Sequence, residues 1–378
     1  VIMDLLIENG RVLTLDGFVD GNVAIEGGVI ASVGSTLTSA RQRVDARGAY
    51  VLPGIIDIHG DAFERQLMPR PGVHFPLDIA LMETDKQLIA NGITTAYHGV
   101  TLSWEPGLRS AEAFRKFMRE HERLKSHYTS DVRLHLRFET ANVAMVEETA
   151  GWIAEGRIDA LAFNDHLPHI RRYRKSPDKM GVYAGRSGMN LDDFLSLFER
   201  VARDADEGQA AGIEHLAKAA RNAGVPMLSH DDANEETRQH FHDLGCHIAE
   251  FPMGDVTAAA AKVLGDPIVL GAPNVVRGGS HTGLQSAADA VAKGLCDVLA
   301  SDYYYPALLN APFILAEQGK MPLHESWKLV STNAADALGL RDRGRIASGQ
   351  RADVIVLSED GPVPILKATI LAGHVCSF

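Results

Sequence analysis

The chain has 378 residues, 46% of them hydrophobic, with 37 Lys and Arg against 49 Asp and Glu, for a formal net charge of -12. That length carries one large barrel plus a small satellite domain. The acidic balance argues against a general nucleic-acid binder but not against an anionic small-molecule substrate, because local charge can oppose the total.

No apolar run is long enough to span a bilayer, so no membrane partner is expected. There is no charged-then-apolar leader that would argue for secretion. Cys246, Cys296 and Cys376 are scattered, with no CxxC. Such a set fits a reducing cytoplasm rather than a disulfide framework.

Residues 1–50 carry short β-like pieces separated by the turn signals Asn9-Gly10, Asp16-Gly17 and Gly27-Gly28. Similar segments return at the C-terminus, where Gly344 to Asp353 leads into VIVLS and then ILKATILAGHVCSF. The expectation is one small β-domain built from residues 1–53 and 341–378, with residues 54–340 inserted. Two unrelated β-extensions are the other reading.

From 54 to 340, apolar runs alternate with helical stretches. The runs are GIIDIH, TTAYHGV (94–100), VRLHLRFE (132–139), DALAFNDH (159–166), VPMLSHDD (225–232), HIAEFP (247–252), PIVLGAPN (267–274) and CDVLASD (296–302). Candidate helices include 78–91, 110–126, 192–222, 233–244, 255–264, 283–294 and 324–337. Eight strands each followed by a helix predict an α/β fold, a (β/α)8 TIM-type barrel. Residues 168–190, rich in Arg, Lys, Gly and Pro, read as a long loop.

The stretch Val51–Asp61, VLPGIIDIHGD, organises the rest. Its unbroken apolar character suits a strand buried on both faces. His59 and Asp61, two residues apart, point to one side of such a strand and make half of a metal site. A surface His and Asp at a strand-loop junction is the plain alternative. Other strand ends supply Glu139, Asp165-His166, His230-Asp231-Asp232 and Asp302. Five separate strands thus end in a His or carboxylate at the rim where a barrel of this kind builds its active site. Such a set can hold two divalent ions. Asp165 either orients a neighbouring ligand or is a plain strand-end Asp, and Asp231 is placed with it.

After a later strand comes Val276-Arg277-Gly278-Gly279-Ser280-His281. Its glycines would let backbone N–H groups approach an anion, and Arg277, Ser280 and His281 add donors. A simple loop is the other reading. Arg65 and Arg70 follow the first metal strand, and Arg171, Arg172, Arg174 and Lys175 lie within 168–190. A basic run is usually a solvated face. At a barrel's working rim it suits a polyphosphate.

These residues resemble the amidohydrolase superfamily over nearly the whole length: terminal β-segments, PGxxDxH, later strand-end His, and a final Asp followed by GxIxxGxxAD. Within it the chain resembles the diphosphatases of phosphonate metabolism. The matches are HGD at 59–61, PRP at 69–71, NGITT at 91–95, RLHLRFE at 133–139, DH at 165–166, SHDDA at 229–233, IAEFP at 248–252, GAPNVVRGGSH at 271–281, SDYYYPALL at 301–309 and GQRADVIVL at 349–357. Asp61 departs from the HxH of many superfamily members, and this subfamily accommodates it.

The resemblance implies two divalent ions, Zn favoured, with Mn, Fe or Mg left open. It implies His59, Asp61 and Asp302 on one ion, His166 and His230 on the other, and Glu139 bridging. It implies the substrate α-D-ribose 1-methylphosphonate 5-triphosphate, cleaved to the 5-phosphate and diphosphate. Charge placement makes Arg65, Arg70, Arg277, Ser280 and His281 the residues expected to bind it. Asp302 is expected to move a proton as well as ligate; ligation alone is the other reading. Two rivals stand: a C–N hydrolase (deacylase, cyclic amidase or deaminase) on the same fold, and a barrel without catalysis. A homodimer is among the assemblies the sequence leaves open.

Overall fold

A computed structural model describes residues 2–34, 36, 39–279 and 286–376. The chain opens with β1 (Met3–Thr14), β2 (Gly17–Glu26), β3 (Val29–Gly34), β4 (Ala40–Asp45) and β5 (Tyr50–Pro53). Then come β6 (Ile55–Gly60), β7 (Ile93–Leu102), β8 (Asp131–Glu139), β9 (Ala160–Asn164), β10 (Met227–His230), β11 (Ile248–Glu250), β12 (Ile268–Gly271) and β13 (Val298–Ala300). The last three are β14 (Val354–Ser358), β15 (Ile365–Leu371) and β16 (His374–Cys376).

One sheet runs β16-β15-β14-β5-β1-β2-β3, with β4 beside β1, and the other takes β6 to β13 in chain order. Sequential strands with intervening helices define the (β/α)8 class. All eight apolar runs are strands. Contacts divide the chain into two compact units: Val1–Ala96, Lys125–Val132 and Val269–Phe378; and Tyr97–Leu124 with Arg133–Ile268.

In the first unit the two ends of the chain do pair. β14 runs antiparallel to β5, with Val356 opposite Val51 and Val354 opposite Pro53. The Asp16-Gly17 turn closes the β1–β2 hairpin, Gly17 taking φ 117, a value closed to most side chains. Leu5, Ile7, Val12, Val23, Ile25, Val354, Val356 and Ile370 form the core of this sheet. Each is worth about 1.5–3 kcal/mol on full burial.

Every residue of β6 is buried. Gly60 at its end leaves no room for a side chain. An added Cβ would lie 2.5 Å from Asp57 Oδ2 and 2.7 Å from Ser301 Oγ. Gly60→Ala is therefore expected to lose about 1–3 kcal/mol to overpacking. Urea unfolding measures this, and an unchanged midpoint would show that the strand end shifts freely.

In the second unit β8, β9, β10 and β11 are parallel neighbours. The long helix spans Leu191–Ala223. The Asn190 side chain accepts from Asp193 N at its start, and Gly224 ends it at φ 68.

Residues 168–190 are not one loop. They form the helices Leu167–Arg172 and Pro177–Arg186, each with a proline in its first turn, where a missing N–H costs nothing. Leu167, Ile170, Met180 and Ala184 pack with Phe194 and Phe198 of the long helix. The prolines and charges hid that apolar spacing. Likewise β12 stops at Gly271, because Pro273 starts the helix Ala272–Arg277.

Candidate metal centre

In the first unit, Asp57, His59 and Asp61 follow the two-residue period to one side of β6. Asp57 is buried and accepts from Ser301 N at 3.0 Å and Ser301 Oγ at 2.5 Å. Burial raises its pKa against the pull of those bonds. Asp302 N donates to His59 O at 3.0 Å, and Asp61 N donates to Asp302 O at 2.8 Å. These bonds hold Asp302 at φ 54, a left-handed conformation that Asp and Asn tolerate better than other side chains.

The three side chains therefore converge. Ligand atoms of His59, Asp61 and Asp302 all lie within 4.8 Å of one another. One imidazole and two carboxylates make a donor set that suits a borderline or hard divalent ion. The residues present thus fit a divalent ion of the kind the sequence resemblance implies.

Beside Asp302, two of the expected substrate cations touch Tyr303, one at its carbonyl and one at its hydroxyl. Arg65 Nη2 donates to Tyr303 O, and its guanidinium lies 5.7 Å from the Tyr304 ring centroid. Arg277 Nη1 is 3.4 Å from Tyr303 Oη. Arg70 is exposed and bridges Val73 through its backbone. Ser280 and His281 lie outside the described residues. The expected anion cradle at the glycines needs correction. Gly278 N donates to Val275 O and Gly279 N to Asn274 O, so both close a helix rather than face an anion.

In the second unit, His135, Arg137 and Glu139 alternate along β8. His166 Nδ1 contacts Glu139 Oε1. Burial disfavours the His166 imidazolium, but the bond and charge of Glu139 outweigh it, and the pKa rises. An ion at this ring must displace that proton, so uptake weakens as pH falls.

His230 Nδ1 faces Glu250 Oε2 at 2.7 Å, and Glu250 is fully buried. That leaves Nε2 as the ring atom that could coordinate an ion, in the way a carboxylate at the other nitrogen orients a metal-ligating His. In this conformation Arg137 Nη2 stands 3.0 Å from Nε2. Asp231 Oδ2 lies 3.5 Å from His230 Nε2 and 3.9 Å from His166 Nε2. Asp165 accepts instead from Gln209 of the long helix, at 3.1 Å. Of the basic residues in 168–190, Arg171 pairs with Asp206 and Arg174 with Glu199.

Sequence reasoning missed Asp57, Arg137, Glu250 and Tyr303. The alternation that placed His59 and Glu139 could have found Asp57 and Arg137. Glu250→Gln is predicted to weaken divalent-ion retention about 10–100-fold, the usual effect of removing a ligand's partner. Dialysis against a graded chelator checks this, and unchanged retention would show that His230 needs no such brace.

The sequence profile of the amidohydrolase family matches residues 200–371. The α-D-ribose 1-methylphosphonate 5-triphosphate diphosphatase of Escherichia coli (strain K12) is 30% identical over 357 residues, covering 93% of this chain and 94% of that protein. The adenine deaminase of the same strain is 24% identical and covers 98% of this chain, which spans only 56% of that relative. Among solved structures, N-isopropylammelide isopropylaminohydrolase from Burkholderia multivorans superposes with a TM-score of 0.66 at 17% identity, covering 99% of this chain and 98% of that one. With a relative matched at this identity over nearly the full length of both chains, the chain belongs to the amidohydrolase family.

Proposed function

We propose that this chain is a metal-dependent, cytoplasmic hydrolase of phosphonate metabolism. Its substrate is α-D-ribose 1-methylphosphonate 5-triphosphate, cleaved to the 5-phosphate and diphosphate. The observation that carries this reading is the near full-length similarity to a diphosphatase of that specificity. The two guanidinium groups on Tyr303, next to Asp302, support it.

His59, Asp61 and Asp302 would hold one divalent ion, His166 and His230 a second, and Glu139 would be shared. Zinc is the favoured metal. Bound ions would polarise a phosphoryl oxygen and make the attacking water more acidic. An Asp302 carboxylate oxygen accepts the water's proton and returns it to the departing diphosphate. Arg65 and Arg277 offer planar donors to phosphate oxygens. Arg70, Ser280 and His281 complete the proposed substrate contacts. Glu250 would hold the His230 ring in the tautomer whose Nε2 carries the lone pair, the atom that Arg137 Nη2 faces. Asp231, with Oδ2 3.5 and 3.9 Å from the His230 and His166 imidazoles, would support them, and Asp165 would act through its neighbour His166.

A C–N hydrolase is the second reading, favoured by the adenine deaminase match. Steady-state kinetics separates the two. The proposal expects kcat/KM for the ribose triphosphate to exceed that for adenine or acylated amines by orders of magnitude. The reverse order would replace it with the second reading.

A further inference from the structure

We propose that His242, His247 and Asp266 form an accessory binding site for a borderline transition-metal ion such as Zn2+, separate from the strand-end residues described above. The three side chains present one ligand atom each, all within 4.8 Å of one another. His242 Nδ1 lies 3.0 and 2.9 Å from the two oxygens of Asp266. His247 Nδ1 lies 3.7 Å from Asp266 Oδ1. Bond lengths of zinc to N and O imply donors roughly 3.4 Å apart around a tetrahedral ion. The distances from Asp266 to the two imidazoles bracket that value. The remaining movement falls to His247, whose side chain is 65% exposed and whose ring lies edge-on to that of His242, with centroids 4.9 Å apart.

The position in the chain separates this cluster from the candidate metal centre. Within the second unit, Glu139 and His230 end their strands. His247 instead precedes β11, and Asp266 precedes β12. The cluster therefore sits at the opposite ends of parallel strands.

The carboxylate is built in rather than incidental. Asp266 is buried, and its N–H donates to Ala261 O at 3.0 Å. The fully buried Arg238 places Nε 3.5 Å from Asp266 Oδ2. That guanidinium also faces Asp232 at 3.0 Å. One cation between two carboxylates leaves a net negative charge, which a divalent ion would offset. Two imidazoles select Zn2+, Ni2+ or Cu2+ over Mg2+ or Ca2+, which prefer oxygen.

Bound there, the ion would tie the helix Glu235–Asp243, which carries His242, to the segments entering β11 and β12. It would stabilise the fold by mass action and perform no chemistry.

The test uses the whole chain with its divalent ions in place. Equilibrium dialysis against Zn2+, with metal analysis of the protein, should find one more ion per chain in the wild type than in His247→Ala or His242→Gln. Added Zn2+ should raise the melting temperature of the wild type and leave that of His247→Ala unmoved. Catalytic rate should be the same in both, which also shows that the variant folds. Equal Zn2+ uptake and equal melting shifts in wild type and His247→Ala would overturn the proposal. The comparison is between variants, so it stands whatever the strand-end residues bind.

Discussion

Asp302→Asn should lower turnover roughly 10²–10⁴-fold, the range for a lost general acid/base. Substrate affinity should change far less. The substitution is a clean one on structural grounds. Asp302 sits at φ 54, where Asn is among the few side chains accommodated without added strain. Its backbone bonds to His59 and Asp61 survive, because they use N and O of the main chain. What changes is the carboxylate: Asn neither accepts the water's proton nor offers the same negative charge to an ion. The two contributions separate by measurement. If metal content is retained and turnover falls, the proton role carries the loss. If turnover stays near normal, Asp302 moves no proton in this reaction.

Arg277→Ala should damage triphosphate hydrolysis by on the order of 2–4 kcal/mol of transition-state stabilisation. The reasoning is one of charge. A triphosphate adds several negative charges next to Asp61 and Asp302, so compensating cations must be local. Arg65 at the Tyr303 carbonyl and Arg277 at the Tyr303 hydroxyl are two such cations. Opposite charges in a partly desolvated site attract more strongly than in water. The same variant should scarcely alter slow hydrolysis of a neutral amide or ester, which makes no use of a guanidinium. Equal losses on charged and neutral substrates would mean that Arg277 shapes the site rather than reading phosphate.

Much of this architecture was legible in the residues. The barrel strands were visible because burial on both faces leaves an apolar run with little alternation, as in IIDIHG. The ligand candidates stood out only as a set: one strand-end His or carboxylate is commonly structural, but five strands ending that way at one rim are not readily explained by chance. The junction of the chain's two ends showed in the return of turn-rich β-segments.

Other features had no local signal. Glu250 looks like any acid after a short apolar run, and only the parallel register opposite His230 gives it a role. The helices within 167–186 were masked by their own charges. Arg171 and Arg174 spend those charges on Asp206 and Glu199 of the long helix. Composition alone made them look available to a substrate. Gly278 and Gly279 suggested an anion cradle, whereas their N–H groups end a helix that Pro273 begins.

The central claim is anhydride cleavage between the α- and β-phosphates of a ribose 5-triphosphate. Phosphorus NMR of the reaction with α-D-ribose 1-methylphosphonate 5-triphosphate tests it most directly. A diphosphate resonance should rise in step with the 5-phosphate, with no orthophosphate formed ahead of it. Stepwise orthophosphate release, or an unchanged triphosphate alongside rapid hydrolysis of a C–N substrate by the same preparation, would contradict it.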